Sequence, residues 1–331
     1  MRDFSSRLEM ALRDFLAARR PAAVAIDARL GRLVDELDSA VGAGGKRLRP
    51  ELLAWGYRAG GRDLDDAVVR AAAALELLHT FALIQDDVMD DSPTRRGRPA
   101  SHVNLAAEAQ VAPERFGASA AVLLGDLSLI WADQLLGESG APPDRLARAL
   151  TVYNEMRTEV TLGQYLDVLA AHSLRVTEEQ ALTVNHYKTA SYTVQRPIQL
   201  GLALAGASEE LLRSVTGYAI PAGIAFQLRD DVLGAFGDPE MTGKPSGQDL
   251  RERKPTWLWA RTLSLCPEAE QTTDVTRLRE LVVASGALAE AEAKIDALFR
   301  EARAAADSLE VDAGLVCELL ALTERLAWRR S

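Results

Sequence analysis

Apolar positions recur at helical spacing along almost the whole chain, and no segment follows the two-residue period of a strand. Residues 3–20 and 22–41 carry the helical pattern, separated by Pro21, which has no N–H with which to continue a helix. A helix is expected over about 51–59, ended by Gly60-Gly61, and an unbroken apolar helix over about 64–90. A strongly apolar helix over 118–136 is interrupted at Gly125-Asp126, and a long amphipathic one begins after Pro142-Pro143 and reaches about Ala171. The pattern resumes over 177–205, where Pro197 is expected to kink or end the helix, then over 208–235, and again from Thr256 to the end. Residues 234–255 are rich in Gly, Pro and charge. A stretch of roughly 20 such residues is long for a plain connection and is expected to act as a lid. The expectation is one all-α domain over residues 1–331.

Charge is unevenly placed on these helices. The helix over 64–90 ends in Asp86-Asp87-Val-Met-Asp90-Asp91. Asp86 and Asp90 share a helix face, being one turn apart, and Asp87 flanks them. Carboxylates at a helix C-terminus meet the unfavourable end of its dipole, and a bound divalent cation offsets that cost. Clustered oxygen ligands suit Mg²⁺, which keeps several waters and shares phosphate oxygens with a substrate. Arg95 and Arg96 follow at once, as an anionic substrate requires. A second pair, Asp230-Asp231, stands near the end of the apolar helix over 208–235, after Gln227. Upstream, Gly42-Ala-Gly-Gly-Lys46-Arg47-Leu48-Arg49-Pro50 puts three cations at a helix start, a favourable anion site that lacks the spacing of a P-loop.

Only five of the 38 basic residues are lysines, at 46, 188, 244, 254 and 294, and all but Lys294 fall in motifs: Lys46 in the basic turn, Lys188 in His186-Tyr-Lys188-Thr189, and Lys244 and Lys254 in the segment 234–255. Lys is a compact point charge that meets phosphate oxygens where a planar guanidinium does not fit. Gln164 and Asp167, one turn apart, offer a shared polar patch on the helix that ends near Ala171. His79 lies two turns before Asp86 on roughly the same face, whereas His102, His172 and His186 show no ligand spacing and read as structural or surface residues.

Composition narrows the classes. Hydrophobic residues make up 48% and aromatics 5%, a balance that favours helices with ample core, and the net charge of −10 argues against a nucleic-acid surface. Two cysteines give neither a disulfide framework nor a metal pattern. The N-terminus has no apolar signal region, and the longest apolar stretches, such as 118–132, read as too short or too broken by charge to span a bilayer. The expectation is a soluble cytoplasmic protein.

With two aspartate clusters, a Gly-Lys-Arg-x-Arg-Pro turn and Arg95-Arg96 on one chain, the sequence resembles the trans-isoprenyl diphosphate synthases, or polyprenyl synthetases, and most of all those making geranylgeranyl diphosphate. The resemblance implies an isoprenoid synthase type I fold, a bundle of antiparallel helices around a deep central cavity, usually a homodimer. It implies Mg²⁺-dependent head-to-tail condensation of isopentenyl diphosphate with an allylic diphosphate. By the same resemblance, Asp86 and Asp90, flanked by Asp87, hold two Mg²⁺ ions, and Asp230, beside Asp231, holds a third. Arg95, Lys188, Lys244 and Lys254 grip the allylic diphosphate; Lys46, Arg49, His79 and Arg96 match the site for metal-free isopentenyl diphosphate. Thr189 and Gln227 match positions lining the allylic pocket. Ala82 and Phe81, four and five residues before Asp86, and Leu129 are implied to set product length, with C20 expected and C15 or longer as alternatives. Two departures stand out: Gly234 where the family has the last aspartate of the second motif, with Asp238 four residues further on, and Gln85 where many members have His. A class I terpene cyclase binds one diphosphate and does not need Lys46, Arg49 and Arg96 as well. A non-catalytic partner subunit is expected to have lost part of the first motif or the basic turn, and both are intact here.

Overall fold

A computed structural model describes residues 2–237 and 247–327, and the chain forms two compact units, the first built from 1–57 with 62–146 and the second from 58–61 with 147–331. The described residues are overwhelmingly α-helical, as the apolar spacing requires.

In the first unit, α1 (Arg2–Ile26) runs straight through Pro21, against the expected break. Pro21 is solvent-exposed, so the carbonyl that loses its N–H partner faces water and the helix continues. The turn comes at Asp27, whose carboxylate accepts the Arg29 N–H at 2.9 Å, before α2 (Leu30–Gly42). After α3 (Leu48–Ala59), α4 (Asp66–Met89) is the central helix of this unit. Asp65 caps it, accepting the Val68 N–H at 3.0 Å and the Tyr57 hydroxyl at 2.8 Å. The run Ala71 to Leu75, with Leu77 and Leu78, is at most 1% exposed apart from Glu76. Each buried leucine there contributes about 2 kcal/mol of transfer free energy. The small alanines let α6 (Pro113–Gly137) lie close, with the buried Ser128 hydroxyl donating to the Leu77 carbonyl at 2.8 Å.

Three details differ from the sequence pattern. α6 is continuous through Gly125-Asp126, because that glycine faces the Gln85 side chain of α4 and a Cβ there would lie 2.9 Å from the Gln85 amide nitrogen. A short helix, α5 (Ser101–Ala106), precedes it. The loop after α4 contains a two-stranded hairpin, β1 (Thr94–Arg95) against β2 (Arg98–Pro99), with Arg96 and Gly97 both at positive φ in the turn. Two consecutive left-handed residues are what a tight hairpin needs, and two-residue strands leave no alternation to read.

By length and composition alone α4 and α6 are each long and apolar enough to cross a bilayer, which corrects the expectation from the shorter, interrupted stretches. In α4 two-thirds of that apolar window, 67%, is buried in the protein, as in a core helix.

The second unit comprises α7 (Pro143–Ala171), α8 (Glu178–Val184), a π-helical stretch (Asn185–Gln195), α9 (Arg196–Ala205), α10 (Glu209–Ser214) and α11 (Thr216–Phe236), then α12 (Gln248–Arg251), α13 (Trp257–Leu265), α14 (Val275–Ala284), α15 (Ala287–Asp307) and α16 (Ala313–Ala327). Leu228 and Val232 of α11, Leu250 of α12, Trp257 and Leu258 of α13, Leu278 of α14 and Ile295 of α15 form one apolar cluster. Helical backbone continues through Pro197, against the expected end. The wider π turns stop at Gln195, so the proline falls in the first turn of α9, where a missing N–H costs least. Glycines grip the π stretch from two sides: a Cβ on Gly163 of α7 would lie 2.7 Å from the Lys188 nitrogen, and one on Gly223 of α11 would lie 2.4 Å from the Ala190 Cα.

Candidate active site

α4 delivers the first set of functional side chains. Asp86 and Asp90 lie one turn apart; Asp90 caps the helix, donating its N–H to the Asp86 carbonyl at 2.9 Å, and its side chain is exposed. Asp87 is 4% exposed, and its carboxylate is taken up by Arg95, whose Nε donates to Oδ1 at 2.8 Å. The same guanidinium reaches Asp86 at 3.3 Å. Burial works against the Arg95 charge, but Asp87, Asp86 and Asp90 hold its pKa above the usual arginine value.

One turn and more back along α4 lies a basic basin. His79 is half-buried, and desolvation of its ring together with the charges of Arg49, Arg96, Arg95 and Arg47 pushes its pKa well below the ordinary imidazole value, so it is neutral. Arg96, at the hairpin turn, is itself pushed down by burial and by Arg47, Arg95 and Arg49, against the pull of Glu76. The structure therefore gathers His79, Arg49 and Arg96 as the sequence pattern implied, while Lys46 sits exposed on the turn before α3. Arg47 differs from the expectation of three converging cations. Its guanidinium donates to Glu9 at 2.8 Å, to the Val41 carbonyl at 3.0 Å and to the buried Glu76. It is an internal strut, and charge balance is the reason: Glu76, alone in an apolar helix face, requires a cation. The sequence signal for that pairing was Glu76 itself, a lone carboxylate between Leu75 and Leu77.

Gln85 now has an account: its amide donates to the Val122 carbonyl at 3.2 Å and to Asp126 at 3.4 Å, tying α4 to α6 beside the carboxylates. Phe81, Ala82 and Leu129 are all half-buried, so Phe81 is not a sealed core residue.

The second unit carries the other set. Lys188 and Thr189 both lie on the π stretch. Lys188 pairs with Asp167 of α7, one of the two polar residues singled out on that helix. The Thr189 hydroxyl donates to the Gln227 carbonyl oxygen at 2.8 Å, and the Gln227 amide donates to Asp231 Oδ1 at 2.9 Å. Asp230 is half-buried, but Asp231 is 4% exposed and its Oδ2 has no hydrogen-bond partner. Burial raises the Asp231 pKa to about 7; Lys254 and Gln227 pull it down, while Asp249 and Asp230 push it further up. Lys244 and Asp238 lie outside the described residues. Among the described residues, no three His, Cys, Asp or Glu side chains converge as a ready-made ion cage. That fits Mg²⁺, which takes one or two carboxylates and completes its shell with water and phosphate.

The sequence profile of the family described as Polyprenyl synthetase matches residues 32–295. The chain belongs to that family. As a polyprenyl synthetase it is a prenyltransferase with the all-α isoprenoid synthase fold. It is 33% identical to the geranylfarnesyl diphosphate synthase of Aeropyrum pernix over 79% of this chain and 82% of that one. It is 36% identical to the geranylgeranyl diphosphate synthase of Methanosarcina mazei over 76% and 71%. A solved geranylgeranyl pyrophosphate synthase from Corynebacterium glutamicum, complexed with isoprenyl diphosphate and magnesium, superposes with a TM-score of 0.93 at 37% identity, covering 98% of each chain.

The orphaned oxygen of Asp231 gives this polyprenyl synthetase a testable pH signature. A folded-state pKa of about 7 against an ordinary 3.8 means that the folded, metal-free chain holds a proton the unfolded chain has lost. This contribution to stability is complete below 3.8 and is lost as pH rises through about 7. Asp231→Asn removes the titration. In thermal melts without added metal, the variant should melt several degrees above the parent at pH 8, and the two should converge near pH 4. Equal differences at both pH values would contradict the assignment.

Proposed function

We propose that the protein condenses isopentenyl diphosphate head to tail with an allylic diphosphate, releases diphosphate, and stops at geranylgeranyl diphosphate, C20. The observation that carries this reading is the neutral His79 among Arg49, Arg95 and Arg96, set two turns before Asp86 on the same helix. One chain thus offers a diphosphate two kinds of seat, a basic one and a carboxylate one. Relatives named for C15, C20 and C25 products support the reaction class and leave length to the residues of the tail path.

In this reading Asp86 and Asp90 hold two Mg²⁺ ions and Asp230 a third, with Asp87 and Asp231 beside them. The buried, unbonded Oδ2 of Asp231 and the shared helix face of Asp86 and Asp90 fit that donor set. Magnesium, when bound, stabilises the charge that develops on the departing diphosphate. Arg95, Lys188, Lys244 and Lys254 bind the same leaving group. The carbon–oxygen bond breaks with its electron pair going to diphosphate. Thr189 and Gln227, locked to each other, turn oxygen lone pairs toward the allylic cation. Lys46, Arg49, His79 and Arg96 orient isopentenyl diphosphate so that its double bond attacks that cation, and the released diphosphate takes the last proton. The family profile runs across both compact units, which supports reading residues 1–331 as one catalytic domain. The relatives and the net charge of −10 support a cytoplasmic enzyme without a nucleic-acid partner.

A homodimer is part of the proposal. On α6, Phe116, Leu123 and Ile130 recur every seven residues and are 43%, 64% and 60% exposed, an apolar stripe of the kind a partner subunit covers. Leu123→Asp should turn the sedimenting species from dimer to monomer; an unchanged dimer would place the interface elsewhere. For product length, chromatography of the reaction with isopentenyl diphosphate and C5 to C15 partners should give C20. Phe81→Ala, which removes the bulk below the carboxylates, should lengthen the product with little change in diphosphate affinity. A parent enzyme that stops at C15, or a folded, active Phe81→Ala with the same product, would refute this part.

A further inference from the structure

Two side chains five residues apart, Ser191 and Arg196, end on one carboxylate. The Ser191 hydroxyl and the Arg196 guanidinium both donate to Glu159 of α7. The guanidinium does so as a fork, with Nε 2.9 Å from Oε2 and a terminal nitrogen on Oε1. The same two residues are joined along the backbone, where the Arg196 N–H donates to the Ser191 carbonyl and closes the π stretch.

Winding decides how easily one carboxylate serves both. At about 100° per residue, positions five apart on an α-helix point about 140° away from each other. A π turn closes on the fifth residue and brings both to one side. The shared carboxylate therefore favours the wide winding over the α-helical one. Gly163 and Gly223 make room for the wide turns, and Glu159 holds them.

Glu159 is also in register with the side chains of the site. Glu159, Gly163 and Asp167 follow one another at intervals of one turn on one face of α7. Gly163 receives the Lys188 backbone, and Asp167 takes the Lys188 ammonium. Ser191 stands two residues after Thr189 and does not share its face. The segment is thus pinned to α7 through Ser191, while the Thr189 hydroxyl donates to Gln227 of α11. The clasp is sheltered, the Arg196 and Glu159 side chains being 14% and 23% exposed, and Arg196 is braced further by Glu155 at 2.6 Å and Gln199 at 3.0 Å. Burial works against the Glu159 charge, yet Arg196 and Ser191 hold its pKa below the usual carboxylate value.

We propose that Glu159 is a positioning residue for the allylic site: by clasping Ser191 and Arg196 it keeps residues 185–195 in the π winding that presents Lys188 and Thr189. The inference rests on the reading that these two residues serve the allylic diphosphate.

The test is steady-state kinetics of the full-length enzyme with both substrates, with melting temperatures alongside. Glu159→Gln keeps the volume and breaks the fork. It should lower kcat/KM for the allylic diphosphate at least about tenfold, the scale on which a misplacement of about 1 Å acts, and leave KM for isopentenyl diphosphate within about twofold. Should that variant not fold, Ser191→Ala decides in the same way, since it spares the ion pair and should lower the same quantity severalfold. In a Thr189→Val background Glu159→Gln should cost clearly less than in the parent, because the hydroxyl it positions is gone; a merely structural role gives the full loss again. A folded Glu159→Gln with the parent's allylic kcat/KM, a loss shared equally by both substrates, or full additivity with Thr189→Val overturns the inference and leaves the functional reading standing. A Thr189→Val that turns over as the parent does overturns the assignment of that residue to the allylic site, and this inference with it.

Discussion

The first unit is organised around a concentration of like charge in a partly buried place. Arg47, Arg49, Arg95 and Arg96 all act on one half-buried imidazole. Two like charges about 6 Å apart in an environment of effective dielectric about 20 repel by roughly 3 kcal/mol, so four of them cannot be gathered without compensation. The chain compensates two directly: Arg47 is bound by Glu9 and Glu76, and Arg95 by Asp87 and Asp86. His79 adapts by staying neutral. Arg49 and Arg96 act on the same imidazole, and they are the cations proposed to bind an anion there. Removing Glu76 or Asp87 would disturb the basin before any substrate contact were lost.

Much of this was legible in the sequence, and what was legible was local. The termini of α4 and α7 agree with the apolar pattern to within about two residues, since caps, prolines and periodicity fix them. The Asp86–Asp90 pairing needed only the helical repeat. What could not be read was whatever depends on a distant partner. Arg47 reads the same as Arg49 until Glu9 and Glu76 are brought to it across the fold. The hairpin that places Arg95 and Arg96 has strands of two residues, too short to show a period. The π stretch over 185–195 has the same apolar spacing as an α-helix at that length, and only the close approaches of Gly163 and Gly223 reveal why the backbone widened. The side chain that occupies the space beside Gly234 comes from Asp249, for which the local sequence carries no signal.

The two sets of side chains divide the work by charge chemistry. Carboxylates repel a bare diphosphate and attract it only through a divalent ion, whereas the arginine basin is proposed to hold a diphosphate with no ion at all. In the proposed function, one protein thereby distinguishes two substrates that carry the same headgroup, using the metal on one and not on the other. The hydrogen-bonded chain from Thr189 through Gln227 to Asp231 links the second carboxylate cluster to the residues proposed to face the developing cation. In the proposed reaction, ion binding and cation stabilisation would be coupled through these two hydrogen bonds.

The claim that the basin binds diphosphate without metal is the one on which the functional account stands, and equilibrium binding of isopentenyl diphosphate in excess chelator tests it most directly. The account predicts that the parent protein binds without Mg²⁺, that Arg49→Ala loses at least about tenfold in affinity, as expected for a charge-assisted contact, and that Asp86→Ala binds as the parent does. Binding that vanishes with the chelator, or that depends on Asp86 and not on Arg49, would contradict it.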